Sequence, residues 1–340
     1  MHSTLILIGG SELQLAALRW AREAGLQVVC TDENENAPAR TSAARFENLA
    51  PEDIAGHLEL ARSLAKTGAI LGAYSSSDRG LATVAAIGEA VGLKTPTREA
   101  TEATLDPELA RETWNAAGIP CDDVRAECCL EVNGFFRDGS FQPAGIFERG
   151  SFGGVGGGLA WGWQPCALES DDTRRVYELL ERGARALHVE EGPVMGIVTL
   201  GNFRLLALRP RFHEDARTSH VSPIVYGKSP LQAWFAHLAD AGGPFDEMAL
   251  EPACCGGWLA ILPEHSGRFQ GIEGLDQARR MPGIVDVILR RPPFTVTGLT
   301  DERSVCGYLW AEGRSRSEVE YRLRSARAAL SVNIAWPSVA

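Results

Sequence analysis

The stretch TLILIGGSELQLAALRWAREAGLQVVCTDEN, from Thr4 to Asn34, decides the fold. Leu5 to Ile8 make an uninterrupted aliphatic run of buried-strand type, Gly9 and Gly10 turn the chain, and apolar residues then recur at helical spacing. A second apolar run follows from Gln27 and ends on the acid Asp32. Strand, glycine turn, amphipathic helix and strand make a βαβ unit, whose two strands lie parallel with a right-handed crossover. The same alternation continues outward. EDIAGHLELARSLAKTG is a helix pattern, AILGAYSSSD a strand running into a polar turn, and RGLATVAAIGEAVGL another helix. An α/β domain with a parallel sheet is therefore expected over residues 1–95.

Open parallel sheets bind ligands beyond the carboxyl ends of their strands, so Ser75, Ser76, Ser77 and Asp78 are candidate binding residues. The turn GGSELQ lacks the G-x-G-x-x-G spacing of a dinucleotide site. Asp32 stands where a ribose-binding acid would, but NAD is not expected.

Residues 96–120 read as a helical connector closing on Gly118 and Pro120. Over 121–250 the pattern becomes α+β. AECCLEVNGFFRDGSFQPAGIFERG alternates like a hairpin turning at Asp138-Gly139. SFGGVGGGLAWGWQP, from Ser151, is a glycine-rich loop bounded by Trp161 and Trp163. DDTRRVYELLERGARALHV is a helix with Asp171 or Asp172 as its cap. GPVMGIVTLGNFRLLALRPRF gives two antiparallel strands joined at Gly201-Asn202, and a helix follows at LQAWFAHLADAG. The glycine-rich loop is not followed by G-K-[ST], so it fails the phosphate-loop pattern and reads as a lid or a tryptophan-packed loop. Residues 251–340 alternate short strands with two helices, as a small α+β domain does.

A net charge of -11 with no basic stripe argues against nucleic acid. No basic leader precedes an apolar core at the N-terminus, and no apolar run approaches the roughly 18 residues of a membrane span, so a cytoplasmic protein without a membrane partner is expected. The eight cysteines include two adjacent pairs, and neither pair has the C-x-x-C spacing of a zinc or redox site. They read as small core residues.

The stretch LLALRPRFHED, Leu205 to Asp215, carries the densest chemistry. Arg209 and Arg211 flank Pro210, so both side chains leave on one face. Planar guanidinium groups grip a carboxylate by paired hydrogen bonds; the competing reading is an ion pair with Glu214, Asp215 or an acid elsewhere. His213 and His220 show no metal-ligand spacing and are expected on a solvent-facing loop. His188 and His237 fall in amphipathic helix patterns. Glu131, Glu148 and Glu169 are general-base candidates that the sequence pairs with no partner.

The order of these parts resembles the ATP-grasp superfamily. The resemblance rests on the opening βαβ stretch, the connector ARETWNAAGIP, the paired strands ending LLALRPR, and the tail GYLWAEGRSRSEVEYRLRSA. That tail, with GRFQGIEGLDQARRMPGIVDVIL before it, is similar to the C-terminal domain of the L-amino-acid ligase branch. The resemblance implies an ATP-grasp-like fold with an N-terminal domain (1–95), a central domain (121–250) and a C-terminal domain (251–340). It also implies what is missing. The family's first nucleotide-clasping half supplies a strand lysine, a phosphate loop and an acidic hinge, whereas here Pro120 is followed almost at once by CDDVRAECCLEVNG. The family's E-x-N-P-R metal frame coincides with Ala207-Leu208-Arg209-Pro210-Arg211, GPVMGIVT lacks the acid of the preceding strand, and the usual Asp-Lys pair of the connector reads Asp106-Pro107. Neither Mg²⁺ nor ATP is therefore expected as cofactor.

The expected ligand is a small carboxylate or amino-acid-like molecule held by Arg209, Arg211, His213, Ser76 and Asp78. The expected role is a binding or partner subunit, working as a homodimer or with a related active ligase. The alternative is an enzyme acting on an amino-acid-derived substrate, either without ATP or as an ATP-dependent ligase completed by another chain.

Overall fold

The computed structural model describes residues 3–123, 128–150, 161–213, 215–239, 251–297 and 304–336. The chain begins with β1 (Ser3–Ile8), α1 (Leu15–Glu23), β2 (Gln27–Thr31), β3 (Arg45–Glu47), α2 (Ile54–Ala65), β4 (Ala69–Ser75) and α3 (Leu81–Val91). The four strands are all parallel, in the order β3-β2-β1-β4. The unbroken aliphatic run of β1 follows from cover on both faces. Leu5 and Leu7 pack with Ala17, Leu18 and Ala21 of α1, while Ile6 and Ile8 pack with Ala61 of α2 and Ile87 of α3. The three-residue β3 lies in a segment the sequence pattern does not mark.

The connector splits into α4 (Arg98–Leu105) and α5 (Pro107–Ala116). Asp106 ends the first helix and caps the second by accepting hydrogen bonds from the Glu108 and Leu109 N–H groups, with Pro107 at the first helical position.

The remainder comprises β5 (Cys128–Arg137), β6 (Ser140–Gly150), β7 (Trp161–Gln164), α6 (Ser170–Ala186), β8 (Gly192–Thr199), β9 (Leu205–Arg209), α7 (Asp215–Thr218), α8 (Val221–Tyr226), α9 (Pro230–Leu238), β10 (Cys255–Ile261), β11 (Gly267–Glu273), α10 (Leu275–Arg279), β12 (Ile284–Leu289), β13 (Phe294–Val296), β14 (Gly307–Gly313), α11 (Arg316–Ala328) and β15 (Ser331–Ala335). Eight of these strands form one sheet, in the order β12-β14-β10-β7-β6-β5-β8-β9. That sheet runs continuously from the central region into the C-terminal one through the antiparallel β7–β10 pair. A second sheet, β13-β11-β15, completes the C-terminal region.

One face of the large sheet is closed by α6, whose Val176, Leu180 and Ala184 meet Leu130, Val198, Leu205 and Leu208. At the opposite face Phe135, Ala144 and Phe212 meet Trp234 and Phe235 of α9 and Tyr74 of β4. The N-terminal domain is thereby docked on the sheet through α9.

The β5–β6 hairpin turns at Asp138 (φ 50°) and Gly139 (φ 74°), both left-handed, as a two-residue turn requires. Two expectations are corrected. α6 begins at Ser170 with Glu169 in the cap position, and Asp171 and Asp172 lie in its first turn, where their charge favours the helix dipole. His188 lies beyond the end of α6 in a left-handed conformation (φ 59°) and is exposed.

Candidate functional site

Leu205 and Leu208 of β9 are committed to the α6 core, which turns Arg209 to the other face, and Pro210 carries the chain on to Arg211. Both arginines meet a single carboxylate. Arg209 Nε lies 2.9 Å from Asp78 Oδ2 and Arg211 Nε 2.8 Å from Asp78 Oδ1. Arg209 Nη1 also donates to the Thr104 and Leu208 carbonyl oxygens, and Arg211 Nη1 to the Phe212 carbonyl oxygen at 2.9 Å. Asp78 opens the turn that follows β4, so the fork joins the N-terminal domain to the central sheet. Burial works against the Asp78 carboxylate, but Arg211 and then Arg209 outweigh it and hold its pKa below the usual carboxylate range. The shared face of the two arginines is as the alternation predicts, and the carboxylate they hold in this structure belongs to an acid far away in sequence. The side chains of Glu214 and Asp215 lie outside the described residues.

Ser76 lies near this fork without touching it; its hydroxyl accepts from Gln14 Nε2 at 2.9 Å. His213 does not belong to the fork, and its expected place on a solvent-facing loop is corrected. It is buried, because its N–H donates to Asn133 Oδ1 at 2.9 Å and its carbonyl accepts from the Thr218 hydroxyl at 2.9 Å, which folds the segment onto the sheet. Burial is the main cause that pushes its pKa down to about 3, so the ring is neutral near pH 7. His220 is half-buried against Trp310, with ring centroids 4.4 Å apart, and burial pushes its pKa down to about 4.

Glu131 has partners that sequence reasoning missed. Its carboxylate is fully buried on β5, with Arg149 Nη1 at 2.8 Å, Arg217 Nε at 2.9 Å and His213 Nδ1 at 3.8 Å. Burial alone would raise its pKa; the attraction of Arg217, with His213 and Arg149, prevails and holds it at about 2. The Arg217 guanidinium in turn stacks 4.7 Å over Trp258 of β10. The signal was present: Glu131 and Asn133 stand two apart in an otherwise apolar strand and so point to one face.

Along that face the register sets Ile197 of β8 opposite Glu131 on one side and Ala207 of β9 on the other. Glu148 also has a fixed partner, the Arg316 guanidinium at 2.9 Å, which stacks 3.6 Å over the Trp163 ring. Trp163 stacks on Trp161 at 4.1 Å, and the glycine-rich residues 151–160, read as a lid or a tryptophan-packed loop, lie outside the described residues. Of the cysteines, Cys30, Cys121, Cys129 and Cys306 are buried and the other four are half-buried, which corrects the expectation that all are core.

Two cavities meet at the carboxyl ends of β1, β2 and β4. One, of about 410 Å³, is lined by Gly9, Gln14, Ser76, Asp78, Arg79 and Arg211 among others. The other, of about 640 Å³, lies between Glu12 and Asp32 of the N-terminal domain and Arg290, Arg291 and Tyr308 of the C-terminal region. Ser11, Leu13, Asp32, Glu33 and Ser77 line both, so they form one groove. Asp32 is engaged internally, accepting the Gly10 N–H at 2.8 Å and the Asn34 N–H at 2.8 Å. Among the described residues no group of three or more His, Cys, Asp or Glu is placed to hold a metal, and no helix is long and apolar enough to cross a membrane.

Residues 260–335 match the family model of the L-amino acid ligase C-terminal domain 2. No curated protein matches the chain by sequence at a significant level. Solved structures match over nearly all of it. The L-amino acid ligase from Bacillus licheniformis superposes with a TM-score of 0.82 at 14% identity, covering 98% of this chain and 99% of that one. The phosphoribosylglycinamide synthetase from Anaerococcus prevotii gives 0.80 at 13% identity, over 98% and 100%. The N5-carboxyaminoimidazole ribonucleotide synthetase from Thermotoga maritima gives 0.72 at 14%, over 98% and 99%. At such identities the likeness is one of fold: the chain has the ATP-grasp-like architecture, and the stretch that matches the L-amino acid ligase domain model is confined to residues 260–335.

Proposed function

We propose that this chain has the ATP-grasp fold without its nucleotide chemistry, and that it serves as a binding or partner subunit for a small amino-acid-like carboxylate. The carrying observation is the Arg209–Asp78–Arg211 fork. Mg²⁺ takes hard oxygen donors, usually one or two carboxylates completed by phosphate oxygens and water. The resemblance sets the family's metal frame on Ala207 and Arg209, which offer no side-chain oxygen, the strand GPVMGIVT before it holds no acid, and Arg209 adds a positive charge that repels the ion. Glu131, the acid opposite Ile197, is held by Arg149 and Arg217. These residues do not fit a magnesium triphosphate. Residues 122–127, between the isolated bridge at Cys121 and the start of β5, also leave too little chain for a further nucleotide-clasping half.

Phosphoryl transfer depends on positioning and on cations that offset the transferring charge. Without a metal frame those terms fall together. The groove beside the fork remains, with a volume suited to a small polar molecule. The assembly is proposed to be a homodimer or a complex with a related active ligase, and light scattering of the purified chain, alone and mixed with such a ligase, reads it directly.

A second reading is favoured by the fold likeness to an L-amino acid ligase: ATP-dependent ligation completed by another chain. Phosphate release from Mg-ATP in the presence of each proteinogenic amino acid separates the two. The proposal expects the rate to stay at the enzyme-free background for the isolated chain, and amino-acid-dependent release that tracks the protein concentration would overturn it.

A further inference from the structure

We propose that the Arg209–Arg211 fork is an oxyanion site which the chain closes with its own Asp78, so that a carboxylate-bearing ligand enters by displacing that side chain. Three observations carry this. The two guanidinium Nε groups engage the two different oxygens of one carboxylate, at 2.9 and 2.8 Å, which is how a bidentate anion site grips a ligand. The gripping and gripped groups differ in burial. Side-chain exposure is 8% for Arg211 and 16% for Arg209 but 42% for Asp78. The arginines are therefore fixed, by packing and by their bonds to the Phe212, Thr104 and Leu208 carbonyl oxygens. The carboxylate sits at the solvent edge on a turn. Finally, both Asp78 and Arg211 line the cavity of about 410 Å³, so space for a ligand adjoins the fork from the side on which Asp78 would leave.

The charged groups nearest on that side do not compete for the fork. Arg79 is paired with Glu33 at 2.8 Å and with Glu52, and Gln14 is bonded to Ser76. Because Asp78 belongs to the N-terminal domain and the arginines to the central sheet, displacement also releases one polar tie between the two. Ligand entry and the contact between these parts of the chain are thus coupled. The inference rests on reading the groove as a ligand site, but it is independent of nucleotide.

The test uses the full chain, wild type and the variants Asp78→Ala and Asp78→Asn, with acetate and L-glutamate as probes and chloride at equal ionic strength as control. Calorimetry reads affinity and thermal unfolding reads stability. Removing the internal carboxylate should tighten acetate and glutamate binding by at least about tenfold, the scale of one charge-assisted hydrogen-bonded contact. Acetate should also restore part of the unfolding midpoint lost in Asp78→Ala. Where Asp78→Ala does not fold, the isosteric Asp78→Asn carries the test alone. Adding Arg211→Met to Asp78→Asn should abolish the gain. Affinities in the Asp78 variants within about twofold of wild type, or acetate rescue no greater than that of chloride, would overturn the inference. Because the assay contains no nucleotide, its failure would leave the proposal on Mg-ATP standing, and the reverse also holds.

Discussion

Replacing Glu131 by alanine should destabilise the protein by about 3–5 kcal/mol, the cost of removing one member of a buried ion pair and leaving the other charge uncompensated. The burden falls on Arg217, whose side chain is 3% exposed and lies 2.9 Å from the Glu131 carboxylate. Arg149, 23% exposed, can turn toward water and suffers less. The expected signature is a lower midpoint of chemical denaturation at an unchanged slope. Glu131→Gln, which keeps the shape and one acceptor oxygen, should lose less. The paired change Glu131→Leu with Arg217→Met should recover much of the loss, because a buried ion pair is often replaced by apolar residues at little cost. A Glu131→Ala variant as stable as wild type would mean that the carboxylate is hydrated and the ion cluster loose.

Acid should unfold this protein sooner than its acidic composition alone suggests. The folded pKa of His213 is pushed down to about 3 and that of His220 to about 4, against an ordinary value of about 6.5. Below pH 6.5 the unfolded chain therefore takes up protons that the folded one refuses. Their contribution to stability is complete above about pH 6.5 and is lost progressively as pH falls toward those folded values, by up to about 1.4 kcal/mol per pH unit for each proton. Glu131, held at about 2 from an ordinary carboxylate value, adds a loss in the same direction at lower pH. Denaturation midpoints should thus fall steadily from pH 6.5 to 4, and His213→Gln should flatten the slope. Stability that is constant across that window would show that His213 protonates freely in the folded state.

Much of the architecture was legible because it depends on local pattern. The aliphatic run of β1, the helical period of α1 and the glycine turn between them dictate the parallel sheet, and alternation about Pro210 sends Arg209 and Arg211 to one face. The three-residue β3 carries too few residues to show a period. The contacts of the site escaped for a different reason. Asp78 reaches its arginines across more than a hundred residues and between domains, and no local signal encodes which acid answers a given guanidinium. His213 sits in the polar run RFHEDARTSH, which reads as solvated. Its burial follows from one amide hydrogen bond to Asn133 on β5 and from the turn closed by Thr218. Glu131 was the legible exception that went unpaired, a charge in the middle of CCLEVNGFF that had to be answered once the strand was buried.

The two ion clusters lie on the same face of the large sheet and divide the work. Glu131 with Arg149 and Arg217 ties β5 to β6 and to the segment after β9, and through Arg217 and Trp258 to β10. Asp78 with Arg209 and Arg211 ties that sheet to the N-terminal domain. Between them lie the apolar side chains of Ile197 and Ala207, set opposite one another by the strand register.

Titration of the purified chain with ATP by calorimetry, in magnesium and again in excess chelator, reads whether a metal-nucleotide site survives in this fold. No saturable heat is expected up to millimolar nucleotide, and no difference between the two conditions. A magnesium-dependent isotherm with micromolar affinity would contradict this expectation, since Ala207 and the Arg209–Asp78–Arg211 fork would then have to accommodate the metal and triphosphate that their chemistry disfavours.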